Sequence, residues 1–259
     1  MTDCHLLEDP AARLLGVDTQ ATFTAVLDQA LAEATPDLLL LTGDLAHTPT
    51  EATYRRLRAL VRERYSGPLA VLPGNHDEID PLKAVFPDCA GAAAAVVELR
   101  WGGARLALCD SHVDEQTEAG FDDASRAQLE ALVAASSDPV ILVLHHPLLP
   151  VDAPWLDKDC VPGGEALLHT LKAAGPIEAV LFGHVHQPVA QQLAGIALHG
   201  TPSTCFQFAP RSQRFSITAE QPGYRWLRRG EDGTLGTTLR RLQAPRIEVE
   251  PRFLASEHG

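Results

Sequence analysis

Four apolar runs, each closing on residues able to bind a cation, constrain this chain more than any other feature of it. Residues 38–42 run into Gly43-Asp44, residues 69–73 into Gly74-Asn75-His76-Asp77, residues 140–144 into His145-His146-Pro147, and residues 179–182 into Gly183-His184-Val185-His186. A short continuous apolar run reads as a strand buried on both faces, the habit of a parallel sheet covered by helices. The chemistry then sits at the carboxyl ends of four strands, on one rim. Helical stretches are predicted between them at Ala21–Ala34, Thr50–Arg64, Ala124–Ala135 and Gly164–Ala174. In the first, Phe23, Val26, Leu27, Ala30 and Leu31 follow the i, i+3, i+4, i+7, i+8 spacing of one helix face. Strand and helix in alternation make βαβ units, which place a ligand crevice outside the carboxyl ends of the strands.

After residue 190 the pattern changes to short strands, Ile196–His199, Phe215–Thr218, Tyr224–Arg228 and Thr237–Leu242, separated by Gly, Pro and Asp. They suggest a second sheet. A chain of 259 residues with 45% apolar and 21% charged residues fits one α/β domain, taken as 1–243. The tail 244–259, with Pro245 and Pro251 and no clear period, is expected to lie loosely on the surface. The Ala- and Gly-rich stretch from Ala90 to Ala95 is too short to mark a boundary. No run of about 18 apolar residues exists to span a membrane. The formal net charge of −13, with Arg228-Arg229 and Arg240-Arg241 read as solvated strand ends, argues against duplex nucleic acid as a partner. Five dispersed cysteines without a C-x-x-C pair, and no charged-then-apolar leader at the start, point to a reducing cytoplasm.

A fifth block, Asp3-Cys4-His5, opens the chain. Carboxylate, amide and imidazole are ligands for Mn, Fe, Zn or Co, and the five blocks together supply enough for two ions. Two such ions a few ångströms apart clamp the attacking and leaving oxygens of a phosphoester displacement. Cys4, between two ligands on an extended segment, points away from them and reads as filler. His47, His169 and His258 fall outside every block and read as surface residues, while His199, on an apolar strand just before Gly200-Thr201-Pro202, is a candidate to approach the site.

The order D-x-H, G-D, G-N-H-D, H and G-H-x-H resembles the calcineurin-like metallophosphoesterases. Leu15-Gly16-Val17-Asp18-Thr19, Trp155-Leu156-Asp157, the segment Thr201 to Phe208, Pro222-Gly223-Tyr224-Arg225 and Asp232-Gly233-Thr234-Leu235 narrow the likeness. They look like the bacterial class III cyclic-nucleotide phosphodiesterases, the Icc/CpdA type that cleaves 3′,5′-cyclic AMP. The resemblance implies a four-layer α/β/β/α sandwich of two mixed sheets. It implies that Asp3, His5, Asp44 and His186 hold one metal ion and that Asp44, Asn75, His145 and His184 hold the other. Asp44 bridges them, and His145 is preferred to His146. The two ions are divalent or mixed-valence, Mn or Fe, with Zn or Co as alternatives, and a hydroxide held between them attacks phosphorus in line. Asn75, His76 and His186 contact the substrate, and His76, itself uncoordinated, protonates the leaving oxygen or steadies phosphoryl charge. Asp77 either orients His76 or caps a helix. Phe206 or Phe208 either stacks on adenine or packs in the core. The same chemistry would serve 2′,3′-cyclic nucleotides or glycerophosphodiesters, and a scaffold that has lost activity is the reading from outside the enzymes.

Two departures from the family pattern stand out. An apolar strand precedes D-x-H in the family, whereas only Met1 and Thr2 precede Asp3 here. A start set too late or a missing central strand follows from that comparison, leaving the backbone around Asp3 and His5 without ladder partners. Asp110-Ser111 and Gln128-Leu129 match the family, but a His-Gly-Glu loop between them is replaced by Ala119-Gly120-Phe121. His112 is the candidate substitute, and an exposed loop histidine without a task is the alternative.

Overall fold

Each apolar run is short because its last residue must turn out of the sheet. The computed structural model describes residues 1–89, 95–113, 116–135 and 137–254. In chain order these form α1 (Thr19–Glu33), β1 (Leu39–Thr42), α2 (Glu51–Arg62), β2 (Leu69–Leu72), α3 (Ile79–Val85), β3 (Val96–Trp101), β4 (Ala104–Cys109), α4 (Asp123–Ala134), β5 (Val140–Val143), α5 (Pro154–Asp157) and α6 (Gly164–Ala174). There follow β6 (Ile177–Phe182), β7 (Val189–Leu193), β8 (Ile196–Gly200), β9 (Gln207–Phe208), β10 (Ile217–Thr218), β11 (Gly223–Arg229) and β12 (Leu235–Arg241).

All four predicted ligand-bearing strands are present, and β2 and β5 are buried along their whole length. The helices start where side chains cap them. Asp18 accepts from the Ala21 amide at 2.9 Å, so α1 begins two residues ahead of its predicted start at Ala21, and Thr50 and Asp122 cap α2 and α4 in the same way.

The main sheet runs β3-β4-β5-β6-β8-β7. Its centre, β4 to β8, is parallel, and antiparallel β3 and β7 close its edges. β1 and β2 pair in parallel, and β11 and β12 form an antiparallel hairpin. Helices α1, α2 and α3 pack on one face of β1 and β2 through Phe23, Leu27, Tyr54, Leu57 and Leu82. The other face of that pair meets the six-stranded sheet through Leu72, Leu106, Ile141 and Leu181, joined by Leu227 of the hairpin. Leu129, Val133, Leu167, Leu168 and Leu171 of α4 and α6 cover its far side. The order of layers is therefore helices, strands, strands, helices. The first strand layer differs from a continuous sheet: β1-β2 and β11-β12 are two separate pairs.

Residues 244–254 are held more firmly than expected. Ile247 N–H donates to Gln221 Oε1 at 2.7 Å and Glu250 N–H to Leu15 O at 3.0 Å, while Ile247, Val249 and Phe253 pack against Val17, Cys205, Phe206 and Ile217. Residues 255–259, His258 among them, and residues 90–94 of the Ala- and Gly-rich stretch lie outside the described residues.

The paired arginines are neutralised locally. Arg228 and Arg240 meet Glu33, Arg229 meets Glu178 at 2.6 Å, and Arg241 faces Glu220. No described helix is long and apolar enough to cross a membrane.

Candidate metal centre

The ligand-bearing turns hold unusual backbone. Asp3, His5, Asp44, His184 and His186 all have φ between 46° and 63°. Non-glycine residues adopt this left-handed region at a cost, roughly 1–3 kcal/mol at a strained site, and persist there only when the surroundings over-determine them. The turns aim alternate residues at the site, while Cys4 and Val185 between them pack into the hydrophobic clusters. Glycine makes the approach possible: a Cβ on Gly74 would fall 2.3 Å from Asp44 Oδ1 and 2.7 Å from His145 Nε2. Gly43, at φ 95°, would press a Cβ to 2.2 Å from His145 Nδ1.

Asp3, His5, Asp44 and His186 converge so that one ligand atom of each lies within 4.8 Å of the others. His5 Nε2 is 3.1 Å from His186 Nε2 and 3.4 Å from Asp44 Oδ2, and His186 Nε2 is 3.4 Å from Asp3 Oδ1. All four side chains are buried. Electron-pair donors so crowded, with His5 Nδ1 also buried and unpartnered, fit a cation at their centre.

The second group shares Asp44. Its Oδ1 is 3.4 Å from His145 Nε2, which is 3.3 Å from Asn75 Oδ1, and His184 Nδ1 stands 2.9 Å from the same amide oxygen. All seven predicted ligands thus meet around one carboxylate. His146 also lies within 4.8 Å of His145 and His184. Its Nδ1 is engaged by Ser111 Oγ at 2.8 Å and its Nε2 is buried without a hydrogen-bond partner, so it too offers a donor atom to this group, while Asn75 contacts His145 and His184.

Outer partners fix the rings. His145 Nδ1–H donates to Thr42 O at 2.9 Å and His186 Nδ1–H to Phe206 O at 2.9 Å, which leaves each Nε2 lone pair facing inward. His184 Nε2 is backed by buried Asp159, whose Oδ2 is 3.4 Å away. Sequence reading missed Asp159, because a lone acidic residue in a loop carries no spacing signal.

Burial works against the Asp44 carboxylate, but His145, His5 and His76 around it hold its pKa well below the usual range. Burial also pulls on the His145 imidazolium, and there the attraction of Asp44 and Asp3 prevails, raising its pKa to about 9. Burial depresses His5, His146 and His184.

The N-terminal segment is not stripped of backbone partners as the sequence comparison suggested. Asp3 N–H donates to Gly43 O, His5 N–H to Asp44 O and Thr204 N–H to Thr2 O. Ser203 Oγ donates to Asp3 O at 2.8 Å, and the Asp3 carboxylate accepts from His184 N–H. This is the work of the Thr201 to Phe208 segment. Phe206 is buried beside His5 and His186, and Phe208 stacks on His186 at 4.1 Å. Phe208 continues outward through Trp155 to Phe215, which is 47% exposed. Cys4 is fully buried with its thiol pushed up to about 12 by burial, in keeping with filler.

Asn75 and His76 are half-buried and form the mouth of the centre. His76 lies edge-on to His5, 4.9 Å between rings, and its own amide is anchored on Asp44 Oδ1 at 2.9 Å. Asp77 neither orients that ring nor caps α3, whose first flanking residue is Glu78. Its buried carboxylate accepts from the amides of Gly74, Leu45 and Ala46 and from Tyr54 O–H, tying two ligand turns together. Burial and the Asp44 charge push its pKa up to about 6 against those bonds. His47, read as a surface residue, stacks on His76 at 4.9 Å and is half-buried. Its position was hidden because β1 and the Asp44 turn fold it back over the mouth. His169 is exposed, and half-buried His199 is depressed by burial and then by Arg225. His112 is half-buried, and its amide donates to Asp110 Oδ1.

A sequence profile of the calcineurin-like phosphoesterases matches residues 1–188. The chain belongs to that family. Among its relatives, a 3′,5′-cyclic adenosine monophosphate phosphodiesterase CpdA of Haemophilus influenzae is 33% identical over 94% of this chain and 89% of its own. A 3′,5′-cyclic-nucleotide phosphodiesterase of Nostoc sp. is 32% identical over 99% and 96%. Solved structures of the same fold include a zebrafish dimetal phosphatase (TM-score 0.61, 14% identity, 94% of this chain and 98% of that one) and a lupin purple acid phosphatase (TM-score 0.62, 16% identity, 96% and 52%). At such identities the likeness is one of fold.

Proposed function

We propose that this calcineurin-like phosphoesterase hydrolyses 3′,5′-cyclic AMP to 5′-AMP at a centre of two metal ions bridged by Asp44. The observation that carries the reading is the sharing of one buried carboxylate by two complete donor groups. Similarity over nearly the whole chain to proteins named cyclic-nucleotide phosphodiesterases supports the substrate. Asp3, His5, Asp44 and His186 hold one ion, and Asp44, Asn75, His145 and His184 the other. Nitrogen and oxygen donors of this kind suit Mn or Fe, with Zn or Co as alternatives. Bound, such a pair supplies Lewis-acid polarisation of the phosphoryl group and acidifies the attacking water.

The chain's own residues do the rest. Asn75 and His76 approach the phosphate from the half-buried mouth, and His186 from its buried position beside His5. His76, which clusters with His5 and His47 but is not among the seven ligands assigned here, gives a proton to the leaving O3′, a task contributing about 10²- to 10⁴-fold in rate. Buried Asp44, whose neighbours hold its pKa well below the usual range, and buried Asp3 would supply carboxylate oxygens to the ions, and the Phe206-Phe208 wall excludes water on the His186 side. The exposed ring of Phe215, joined to that wall, offers an apolar surface to the base. Localisation in the cytoplasm accords with five free cysteines.

The test is hydrolysis of cyclic AMP with Mn²⁺ added, beside a chelated sample and Asn75→Ala. Release of 5′-AMP that is lost in both controls supports the reading. Turnover of 2′,3′-cyclic nucleotides or glycerophosphodiesters with none of cyclic AMP would replace the substrate, and metal binding without any turnover would favour a scaffold.

A further inference from the structure

Two turns meet over the mouth of the centre. The Asp77 carboxylate accepts from the amides of Leu45 and Ala46 in one turn and of Gly74 in the other, and His47 N–H donates to Leu6 O at 2.8 Å. His76 N–H is held on Asp44 Oδ1 at 2.9 Å. These bonds fix the backbone beneath two imidazoles. The His47 and His76 rings stack with 4.9 Å between their centres, and the His5 ring lies 5.6 Å from the first and 4.9 Å from the second.

One nitrogen from each of these three rings lies within 4.8 Å of one from each of the others. Of the seven ligands of the centre, the group contains only His5. Among the described residues no hydrogen bond engages the ring of His47 or of His76, and His47 Nδ1 is buried without a partner. A buried polar atom left unpaired costs roughly 1–3 kcal/mol. Stacking alone leaves that nitrogen unsatisfied, whereas a cation between the rings satisfies it. Imidazole nitrogens suit Zn, Cu and Ni, while Mg and Ca seek oxygen.

We propose that His47 and His76 hold a Zn²⁺ ion at the mouth, third beside the two of the centre, and that this ion inhibits hydrolysis. His5 Nε2 faces Asp44 Oδ2 at 3.4 Å and His186 Nε2 at 3.1 Å, and so stays with the first ion of the centre. The mouth ion then has two neutral protein ligands, whereas each ion of the centre has the Asp44 carboxylate. It is therefore the weakest held of the three, and its occupancy is reversible. The inhibition rests on the role of His76 as proton donor proposed for this protein. A ring nitrogen that gives its lone pair to a metal has no proton to pass to the leaving O3′. The ion also stands in the mouth through which the phosphate enters.

The experiment uses the wild-type chain, His47→Phe, which keeps a ring against His76 without its nitrogens, and His47→Gln, which restores a smaller polar side chain should phenylalanine disturb the fold. Zn²⁺ bound by the chelator-stripped proteins is counted by equilibrium dialysis. Hydrolysis of cyclic AMP under saturating Mn²⁺ is followed in parallel as Zn²⁺ is raised. The expected result is three ions per wild-type chain and two per variant chain, with the inhibition midpoint at least about tenfold higher in the variants, the lower end of what losing even a ligand's supporting partner costs. Displacement of Mn²⁺ from the centre would inhibit all three proteins alike, so the difference between them reports the mouth. Two ions in the wild type, or equal counts throughout, would overturn the site, and equal inhibition curves would overturn the inhibition. A wild-type chain that binds the third ion yet cleaves no cyclic AMP before Zn²⁺ is added would sink the proposed function and the inhibition with it, and leave the site standing.

Discussion

The His145–Asp44 contact sets a proton against a metal ion. In the metal-free protein His145, pulled down by burial but raised further by Asp44 and Asp3, holds its proton to about pH 9, while burial lowers His5 and His184. An ion entering the second group must displace that proton, because only neutral imidazole ligates. At pH 7, two units below the pKa, the displacement costs about 2.7 kcal/mol, or about a hundredfold in affinity. Raising the pH from 7 to 9 is therefore expected to tighten Mn²⁺ binding about fiftyfold, with about one proton released per ion at pH 7 and progressively less towards pH 9. Isothermal titration of the chelator-stripped protein, in buffers of different ionisation enthalpy, measures both quantities. Affinity that stays flat from pH 7 to 9 with no proton released would refute the assignment of His145 as a ligand beside Asp44.

The same group fixes a stability window. Because the folded pKa lies above the unfolded value of about 6.5, its stabilisation is complete below pH 6.5 and disappears as the pH rises through about 9. Thermal unfolding of the metal-free protein is expected to shift down across that range, and the shift is expected to vanish with Mn²⁺ bound. Asn75→Ala is expected to retain one ion and lose most activity, whereas His76→Ala retains both and turns over about 10²- to 10⁴-fold more slowly, as metal analysis and initial rates will tell. Asp159→Asn leaves His184 without its backing carboxylate and is expected to weaken the second ion about 10- to 100-fold, by competition with a chelator. Ser203→Ala removes the bond to Asp3 O and another to Cys205 N–H and is expected to destabilise the fold by roughly 1–3 kcal/mol in urea titration.

What the sequence shows and what it hides divide along a physical line. The strands ending at Thr42, Leu72, Val143 and Phe182 were legible because a both-sides-buried strand must be continuously apolar, and three of their ligands, Asp44, Asn75 and His184, because each follows a glycine at a crowded turn. α3 and α5 escaped notice, since seven and four residues give the helical period too little length to register. The partners of the ligands were invisible for another reason. Asp159 reaches His184 across 25 residues and Ser203 reaches Asp3 across 200, and no local pattern encodes such distances. His47 and Asp77 were misread because each was judged by its neighbours in sequence, while one stacks on His76 and the other gathers amides from two turns.

Those two turns show why the motif spacing and the backbone strain belong together. A regular strand would send Asp3 and His5 to the same face about 7 Å apart at their Cβ atoms. Left-handed φ at Asp3 and His5 brings both side chains into one donor group, and at His184 and His186 it sends the two rings to different groups. The cost of five strained residues, of order 1–3 kcal/mol each, is met by neighbours that need no metal: Asp77 on the Gly74 and Leu45 amides, Ser203 on Asp3 O, Thr19 Oγ1 on His5 O. The centre is thus held in shape before any ion arrives. Ligand substitutions at half-buried Asn75 are therefore expected to alter metal content with little change in fold, whereas Asp77→Ala, which touches no ligand side chain, should lower both stability and metal content together. A variant of Asp77 that bound two ions normally while unfolding earlier would separate the scaffold from the site and break this argument.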